Sequence, residues 1–147
     1  MNVFYTNKDA VLTARDHNSK LRNKMIVEHT QILSTAKRLI EGELIEVYKK
    51  RITKVKLDCG TVINKVKLKK IKWYKLPCDN FISRFGLTII DSYEIYAVTH
   101  QNHPSAIWVR ESLEHYKWLY DCTVELCRMF QSDSGKSHKT SLMLYKL

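Results

Sequence analysis

Long apolar runs are absent from the sequence, and this absence sets the first limit on the class of protein. No stretch approaches the ~20 consecutive apolar residues that a membrane-spanning helix needs. The N-terminus also lacks the charged segment followed by an apolar segment that marks a secretory signal. These two absences predict a cytoplasmic protein with no membrane partner.

Paired cysteines are lacking as well. The chain has 4 cysteines but no Cys-x-x-Cys motif, and Cys122 and Cys127 do not match the usual zinc spacings. The 6 histidines are scattered, and only His100 and His103 lie close together. A histidine pair without a third ligand is more often structural. We therefore expect free thiols in a reducing compartment, no metal site and no cofactor.

Acidic residues are scarce. The sequence has 15 Asp and Glu against 25 Lys and Arg, which gives a formal charge of +10. An excess of this size favours an acidic partner such as nucleic acid, nucleotide or an anionic surface. Solubility alone also accounts for such a charge, so the composition leaves both explanations open.

Two long helices are predicted from apolar residues at helical spacing. One runs from Ser19 to Ile40 and stops at Gly42, and the other runs from Pro104 to Phe130. A chain of 147 residues is long enough for one domain with a substantial core, so we expect a single domain over residues 1–147. The predicted fold is mainly α (α+β): a compact helical domain with two long packed helices and an inserted β-hairpin.

The inserted hairpin is predicted between residues 48 and 76, where β-branched residues alternate with basic residues at a period of two. A turn that contains Gly60 separates the two runs. Its predicted basic face carries Lys54, Lys56, Lys65, Lys67 and Lys69, with Trp73 beyond them. Such a ribbon can follow a phosphate backbone while the aromatic ring stacks on bases. A solvated face whose lysines protect an edge strand is the alternative.

A polar cluster lies at the predicted start of the second long helix. Pro104 fits the first turn of a helix, so His103 or Asn102 is the expected N-cap. A helix N-terminus offers unpaired N–H groups and a partial positive charge, so an anion or phosphate could bind among His100, Asn102, His103 and Arg110. Capping and ordinary ion pairing explain the same residues without a ligand.

Basic residues crowd the first turns of the other long helix. Lys20, Arg22 and Lys24 oppose the dipole, which prefers acids there. This mismatch indicates another use, such as holding phosphate. Glu28 shares a helix face with Lys24, since the two residues have i,i+4 spacing.

A polar loop, QSDSGKSHK, follows the second predicted helix over residues 131–139. Lys136 and His138 give it the composition of a phosphate-binding loop. The loop has one glycine and no preceding strand, so it does not satisfy the P-loop pattern. A flexible loop is the commoner meaning, and phosphate contact is the alternative.

Several short runs together resemble a family of small bacteriophage proteins. These runs are Lys24-Met25-Ile26-Val27-Glu28, Thr30-Gln31-Ile32-Leu33-Ser34-Thr35-Ala36, Thr99-His100-Gln101-Asn102-His103-Pro104, Trp108-Val109-Arg110-Glu111-Ser112, Tyr116-Lys117-Trp118-Leu119-Tyr120 and Gly135-Lys136-Ser137-His138-Lys139. The likeness spans nearly the whole chain. More remotely, the sequence resembles the pyrimidine-dimer DNA glycosylases typified by endonuclease V of a T-even phage. That resemblance depends on an N-terminal segment and on a first helix with basic residues and a glutamate.

The resemblance implies a nucleic-acid-directed phage protein in the host cytoplasm, a DNA N-glycosylase or lyase, with DNA favoured over RNA. In those glycosylases a freshly exposed N-terminal amine attacks the sugar and a glutamate assists. Here Asn2 follows Met1, and a bulky second residue normally leaves the methionine in place, so the amine of Met1 is the candidate nucleophile. Glu28 is the implied acid/base. The full catalytic set implied by the resemblance is Glu28, Lys24, His100 and His103.

A function of a different class is also open. The protein could be a non-catalytic binder of nucleotide, nucleic acid or a host protein, as expected of a host-takeover or anti-defence factor. The basic hairpin serves either function. Convergence of Glu28 with the cluster of His100 and His103 favours the enzyme, and a separation of more than roughly two hydrogen-bond lengths favours the binder.

Overall fold

The computed structural model describes residues 2–147 and has an α+β fold. In this described part of the chain, five helices hold 47% of the residues and a four-stranded mixed sheet holds 27%. The sheet is therefore a principal component, and the prediction of a mainly α, compact helical domain was wrong. The strands that sequence reasoning assigned to one hairpin continue into a larger sheet.

The chain forms two compact units. Residues 2–42 and 94–147 form a helical unit, and residues 43–93 form a sheet unit. The sheet unit is thus longer than the hairpin expected at residues 48–76, because two further strands follow the hairpin.

The helical unit begins with two helices. Helix α1 spans Ala10–Asp16, and helix α2 spans Ser19–Glu41. Asn18 caps α2 through a side-chain bond from the Leu21 N–H, and the helix ends at Gly42 as predicted. A polar N-cap and an apolar stripe at helical spacing are the signals that fix this helix in the sequence.

The prediction of one long helix over Pro104–Phe130 was wrong, because the segment forms two helices. Helix α3 spans Pro104–Glu111, and helix α4 spans Leu113–Ser134. Ser112 separates them with an extended backbone, at φ −153° and ψ 157°, and its side chain accepts a hydrogen bond from the His115 N–H. Ser112 therefore ends one helix and caps the next. Apolar spacing continues across this break and hides it in the sequence.

The core of the helical unit lies between α2 and the two later helices. Met25 and Ile26 of α2 pack with Cys122 and Leu126 of α4. A second cluster joins α2 to α3 and α4 through the buried side chains of Ile32, Leu33, Ala36, Val109 and Leu119. A final 3₁₀ helix spans Lys139–Lys146. No helix within residues 2–147 is long and apolar enough to cross a membrane.

The sheet unit has four strands in the order β2-β1-β4-β3. The bounds are β1 Glu43–Lys56, β2 Val62–Lys75, β3 Asn80–Arg84 and β4 Leu87–Ser92. Strands β1 and β2 form the predicted hairpin, whose turn is closed by a bond from the Leu57 N–H to the Thr61 carbonyl at 2.8 Å. Gly60 adopts a left-handed conformation there, at φ +83°. Strand β4 pairs parallel with β1 and antiparallel with β3.

Candidate active site and nucleic-acid interface

Glu28 joins α2 to the beginning of the described chain. Its Oε2 atom accepts a hydrogen bond from the backbone N–H of Asn2 at 3.0 Å. Its Oε1 atom lies 3.6 Å from Nζ of Lys24, as the i,i+4 spacing predicted. The Glu28 side chain is 16% exposed and the Lys24 side chain 66% exposed. The carboxylate is therefore largely shielded and fixed between two nitrogen atoms.

The N-terminal segment is held in place by several contacts besides the one to Glu28. Val3 packs against the second core cluster. The Asn7 N–H donates to Oγ1 of Thr13 at 3.0 Å, and this hydroxyl donates to the Asn7 carbonyl at 3.0 Å. The position of the Asn2 nitrogen is thus set by the fold. Sequence reasoning did not place Asn2 in the site, and Met1, the candidate nucleophile, lies outside the described residues.

The basic residues at the start of α2 have different roles. Lys20 is exposed. Arg22 is buried and forms an ion pair with Asp133 near the end of α4. A second guanidinium nitrogen of Arg22 lies 3.5 Å from the His17 carbonyl. Phosphate binding by Arg22 is therefore not supported, because its charge joins two helices of the core.

The polar cluster before α3 is largely satisfied by its own members. His103 caps α3, its Nδ1 accepting from the Ser105 N–H at 3.2 Å. His100 adopts a positive φ of 46°, and its Nδ1 lies 2.7 Å from Oγ1 of Thr99. Arg110 donates to the Gln101 carbonyl at 2.9 Å. Of the two expected caps, His103 is therefore the N-cap of α3, and Asn102 is exposed.

The same cluster is anchored away from Glu28 along α2. The Thr99 N–H donates to Oγ1 of Thr35 at 3.2 Å, and this hydroxyl also donates to the Thr99 carbonyl at 3.2 Å. Thr35 lies roughly two turns, or ~10 Å, beyond Glu28 along the helix. None of the contacts among residues 2–147 joins Glu28 to His100 or His103. The predicted catalytic set is therefore divided: Glu28 and Lys24 lie on α2, and the segment with His100 and His103 contacts α2 about two turns farther along.

The loop after α4 is used for capping. Gly135 ends the helix in a left-handed conformation, at φ 69°. His138 caps the final helix, its Nδ1 accepting from the Thr140 N–H at 3.2 Å, and burial lowers its pKa. Lys136 is exposed, and its N–H donates to Oγ of Ser134 at 3.2 Å. A phosphate site at His138 is not supported, because the ring nitrogen already accepts a backbone bond.

The basic surface of the hairpin differs from the predicted one. Directly paired residues of antiparallel strands share a face. The register pairs Lys54 with Asn64 and Lys56 with Val62, but Thr53 with Lys65. The predicted face was therefore wrong, because Lys54 and Lys56 lie on the opposite face from Lys65, Lys67 and Lys69. The residues that form one continuous basic ladder are Lys49, Arg51, Lys65, Lys67 and Lys69.

Like charges face each other along this ladder. Lys49 is paired with Lys69, and Arg51 is paired with Lys67. All four residues are exposed. Like charges directly opposite across two strands destabilise a sheet, and a row of bound phosphates would relieve the repulsion.

Trp73 is part of the sheet core. Its residue exposure is 4%, and its indole N–H donates to Oδ2 of Asp79 at 2.9 Å. The ring centroid lies 5.2 Å from that of Tyr93. Base stacking by Trp73 is therefore not supported, because the ring is enclosed by protein.

A buried histidine pair was not predicted from the sequence. His29 of α2 is 0% exposed, and neither of its ring nitrogens has a hydrogen-bond partner among the described residues. The ring of His17 lies 6.3 Å away in an edge-on orientation. Burial, and secondarily the charge of His17, lower the pKa of His29 from 6.5 to about 3. His29 is thus a neutral core residue, and its place in the apolar stripe of α2 was the sequence signal for this.

The comparisons with known proteins found no relative of this chain. No protein-family model matches the chain, and neither a curated protein nor a solved structure gives a match. Within residues 2–147, no group of three or more His, Cys, Asp or Glu side chains is arranged to hold a metal ion. The arguments for function therefore depend on the contacts of Glu28 and on the basic ladder.

Proposed function

We propose that the protein acts on DNA as a glycosylase-like enzyme whose acid/base is Glu28. The observation that carries the proposal is the 3.0 Å contact between the Asn2 nitrogen and Oε2 of Glu28. The resemblance to the pyrimidine-dimer glycosylases implies an N-terminal amine beside a glutamate. The Asn2 nitrogen is an amide while Met1 is attached, and its contact supports the proposal because it brings the Glu28 carboxylate to the N-terminal segment.

In the proposed reaction, the lone pair of an N-terminal amine forms a bond to C1′ of a damaged nucleotide. The C1′–N bond to the base breaks, and the base leaves with the bonding electrons. Glu28 takes the proton that the nitrogen loses, and the nitrogen lone pair then forms the C1′=N bond of the imine as the C1′–O4′ bond of the sugar breaks. Glu28 gives its proton to O4′, and the departing base takes a proton from water. An amide nitrogen cannot form these bonds, because its lone pair is delocalised into the carbonyl. The Asn2 nitrogen becomes a nucleophile only when the bond between Met1 and Asn2 is cleaved.

The position of the nucleophile can be tested with two preparations of the chain. One carries Met1, and the other is released from a fusion protein so that Asn2 is the first residue. Each is mixed with an oligonucleotide that contains a single pyrimidine dimer or a single abasic site, and borohydride is added to reduce any imine. We expect a covalent protein–DNA adduct from the preparation that begins at Asn2. Adduct from the Met1 preparation alone would assign the nucleophile to Met1, and adduct from neither would contradict the enzyme.

A second candidate function is non-catalytic binding of nucleic acid, nucleotide or a host protein, in the manner of a host-takeover or anti-defence factor. The exposed basic ladder on the hairpin favours this function, since a row of cations needs no catalytic group to bind a polyanion. The separation of Glu28 from the segment that carries His100 and His103 also favours it. This function is supported if both preparations bind the lesion oligonucleotide and neither forms an adduct or releases a base.

A further inference from the structure

A semi-enclosed cavity of about 520 Å³ lies beside the N-terminal segment of the helical unit. Its volume falls within the range of ~300–1,000 Å³ that is typical of small-molecule sites. The lining comes from the N-terminal segment (Val3, Tyr5), from α3 (Trp108) and from the first turns of α4 (Glu114, His115, Trp118). The reaction proposed above uses none of these side chains, so the cavity is separate from that chemistry.

The aromatic rings of the lining form a corner. Trp118 meets Trp108 at an interplanar angle of 84°, with ring centroids 5.8 Å apart, and Tyr5 lies 4.9 Å from Trp118 with a tilt of 35°. One face of Trp108 is covered by His115, which is stacked on it at 4.3 Å, so the other face is the one open to a ligand. The face of an aromatic ring is negative, and perpendicular rings direct such faces toward a shared space.

The charge of the lining is opposite to that of the protein as a whole. The chain has 25 Lys and Arg in 147 residues, yet none of them is among the described residues that line the cavity. The one carboxylate of the lining is that of Glu114, an exposed residue that has no ion-pair partner within the described chain. The helix dipole accounts for an acid in the first turn of α4. It does not account for the aromatic rings around that acid or for the lack of cations.

The N–H groups that could bind an anion here are already used. The Ser105 N–H donates to the N-cap of α3 at 3.2 Å, and the indole N–H of Trp118 donates to the Lys8 carbonyl at 2.9 Å. Nδ1 of His115 lies 2.8 Å from the Trp108 carbonyl, which only accepts, so Nδ1 carries the proton and Nε2 of the neutral ring is an acceptor. The lining thus offers ring faces, acceptors and a carboxylate, and a cation suits it better than an anion.

We propose that the cavity binds an organic cation whose charge is surrounded by alkyl groups, such as a quaternary ammonium. The alkyl groups lie against the faces of Trp108, Trp118 and Tyr5, and the Glu114 carboxylate balances the charge. A cation within ~6 Å of a ring centroid is attracted by the negative face, most strongly by that of Trp. An ammonium without alkyl groups suits the site less, because ring faces do not replace its hydrogen bonds to water. The inference goes beyond the proposed function and does not depend on it.

Choline tests the cavity, and the matched ligand is its neutral tert-butyl analogue, in which a carbon atom replaces the charged nitrogen. Each compound is titrated into the whole protein while the indole N–H signals of its 3 tryptophans are followed by NMR. We expect saturable shifts of the Trp108 and Trp118 signals with choline, and ~10-fold weaker binding of the neutral analogue. The Trp73 signal should not move, because Trp73 belongs to the sheet unit and does not line the cavity.

Two substitutions test the two kinds of contact. Tyr5→Leu removes a ring but keeps an apolar side chain, so choline binding should weaken by about 2-fold to 5-fold, as expected of one cation–π contact at an exposed site. Glu114→Gln should weaken it by up to about 5-fold and should reduce the preference for choline over the neutral analogue. The matched controls are Tyr145→Leu and Glu111→Gln, at exposed residues that do not line the cavity, and neither should alter choline binding.

A short peptide with one trimethyllysine, compared with the unmodified peptide, distinguishes a protein side chain from a free compound as the source of the cation. Selective binding of the methylated peptide, more tightly than choline, would support the site and assign it to a protein side chain; tighter binding of choline would support it and assign it to a free compound. No saturable shift with either ligand, equal binding of choline and its neutral analogue, or equal effects of the cavity variants and their controls would overturn the proposal. Shifts caused by acetate but not by choline would do so too. Glu28→Gln should leave choline binding unchanged, so loss of base release and loss of choline binding separate the two proposals.

Discussion

Arg51 lies directly opposite Lys67 across the β1–β2 ladder, so two cations face each other where a stable hairpin would have a neutral or opposite-charge pair. The pair lies within a row of basic residues on one face of the hairpin. The other face of the same strands carries a different set of lysines. This arrangement gives an internally controlled test of binding.

The first prediction concerns the two faces of the hairpin. Replacing Lys65, Lys67 and Lys69 by Gln should weaken DNA binding and flatten its salt dependence, by about one unit of log–log slope for each phosphate that is no longer neutralised. The matched control replaces Lys50, Lys54 and Lys56 by Gln, which removes the same charge from the opposite face. The affinity of each triple variant for DNA is measured by fluorescence anisotropy over a range of salt concentrations and compared with that of the wild type. Equal effects of both triple variants would mean that net charge alone attracts the DNA.

The second prediction concerns Glu28. Glu28→Gln keeps an oxygen that can accept the bond from the Asn2 N–H, so the fold and DNA binding should persist. Base release from a lesion oligonucleotide should fall by ~10²-fold or more, as expected when a general acid–base group is removed. Loss of the ion pair with the mostly exposed Lys24 should cost only ~0.3–0.5 kcal/mol of stability.

Glu41→Gln is the control for this measurement. Glu41 forms an i,i+4 pair with Lys37 at 3.1 Å on the same helix, so its substitution should reproduce the small stability change without affecting base release. Melting temperature and base release are measured on the same preparations. Protein that binds the oligonucleotide and never releases a base, whether it begins at Met1 or at Asn2, with Glu28→Gln changing only the melting temperature, would leave the binder as the function.

The third prediction concerns the pH dependence of stability. The pKa of His29 is lowered from 6.5 to about 3 by burial and by His17, so the unfolded chain binds a proton in this range that the folded chain does not. The free energy of unfolding should therefore be unaffected by His29 above pH 6.5 and should fall by up to ~1.4 kcal/mol per unit as the pH drops below it. Denaturant unfolding at several pH values measures this slope.

Substitution of His29 should remove most of that slope. His29→Leu keeps the site apolar and abolishes its titration, so the slope that remains between pH 6.5 and 5 should be the smaller one that comes from His138, whose pKa burial also lowers. The control is His100→Asn, at an exposed histidine whose positive φ an asparagine tolerates. It should retain the wild-type slope. A wild-type slope in His29→Leu would assign the acid sensitivity to another group.

The fourth prediction concerns Trp73. Trp73→Ala should destabilise the protein by ~3–5 kcal/mol, because it removes a buried ring and the bond to Asp79. At a temperature where the variant remains folded, its affinities for single-stranded and duplex DNA should change equally. A selective loss of single-strand binding would contradict the buried position and restore a stacking role.

Local signals in the sequence were sufficient for some elements. An apolar stripe and a terminal glycine defined α2, and a glycine turn between alternating runs defined the hairpin. The faces of the hairpin were not predictable from alternation alone. A face depends on which residues the turn brings opposite each other, and a shift of one residue exchanges the faces. The same limit applies to Ser112, whose extended backbone lies inside a continuous apolar pattern.

The candidate site was less accessible to sequence reasoning because it depends on long-range packing. Glu28 could be chosen by its helical face, but its contact with Asn2 requires the N-terminal segment to lie along α2. The stacking of Trp108 on His115, with ring centroids 4.3 Å apart, requires the break between α3 and α4, because residues seven apart in one helix lie ~10 Å apart along its axis. Arg22 and Trp73 carried the residue types of a binding surface, and only their burial shows that they serve the core.

The β1–β2 hairpin is unequal along its length. Near its base, Val47 is 0% exposed and Trp73 is 4% exposed, whereas Ile52 and Val66, paired farther along, are 65% and 57% exposed. The outer half has few buried apolar groups, and its paired cations repel each other, so little opposes local opening there. Its amide protons should therefore exchange long before those at the base. A polyanion on the ladder would then slow exchange in the outer half alone. Slower amide exchange toward the tip of the hairpin would therefore be the sign that nucleic acid has bound.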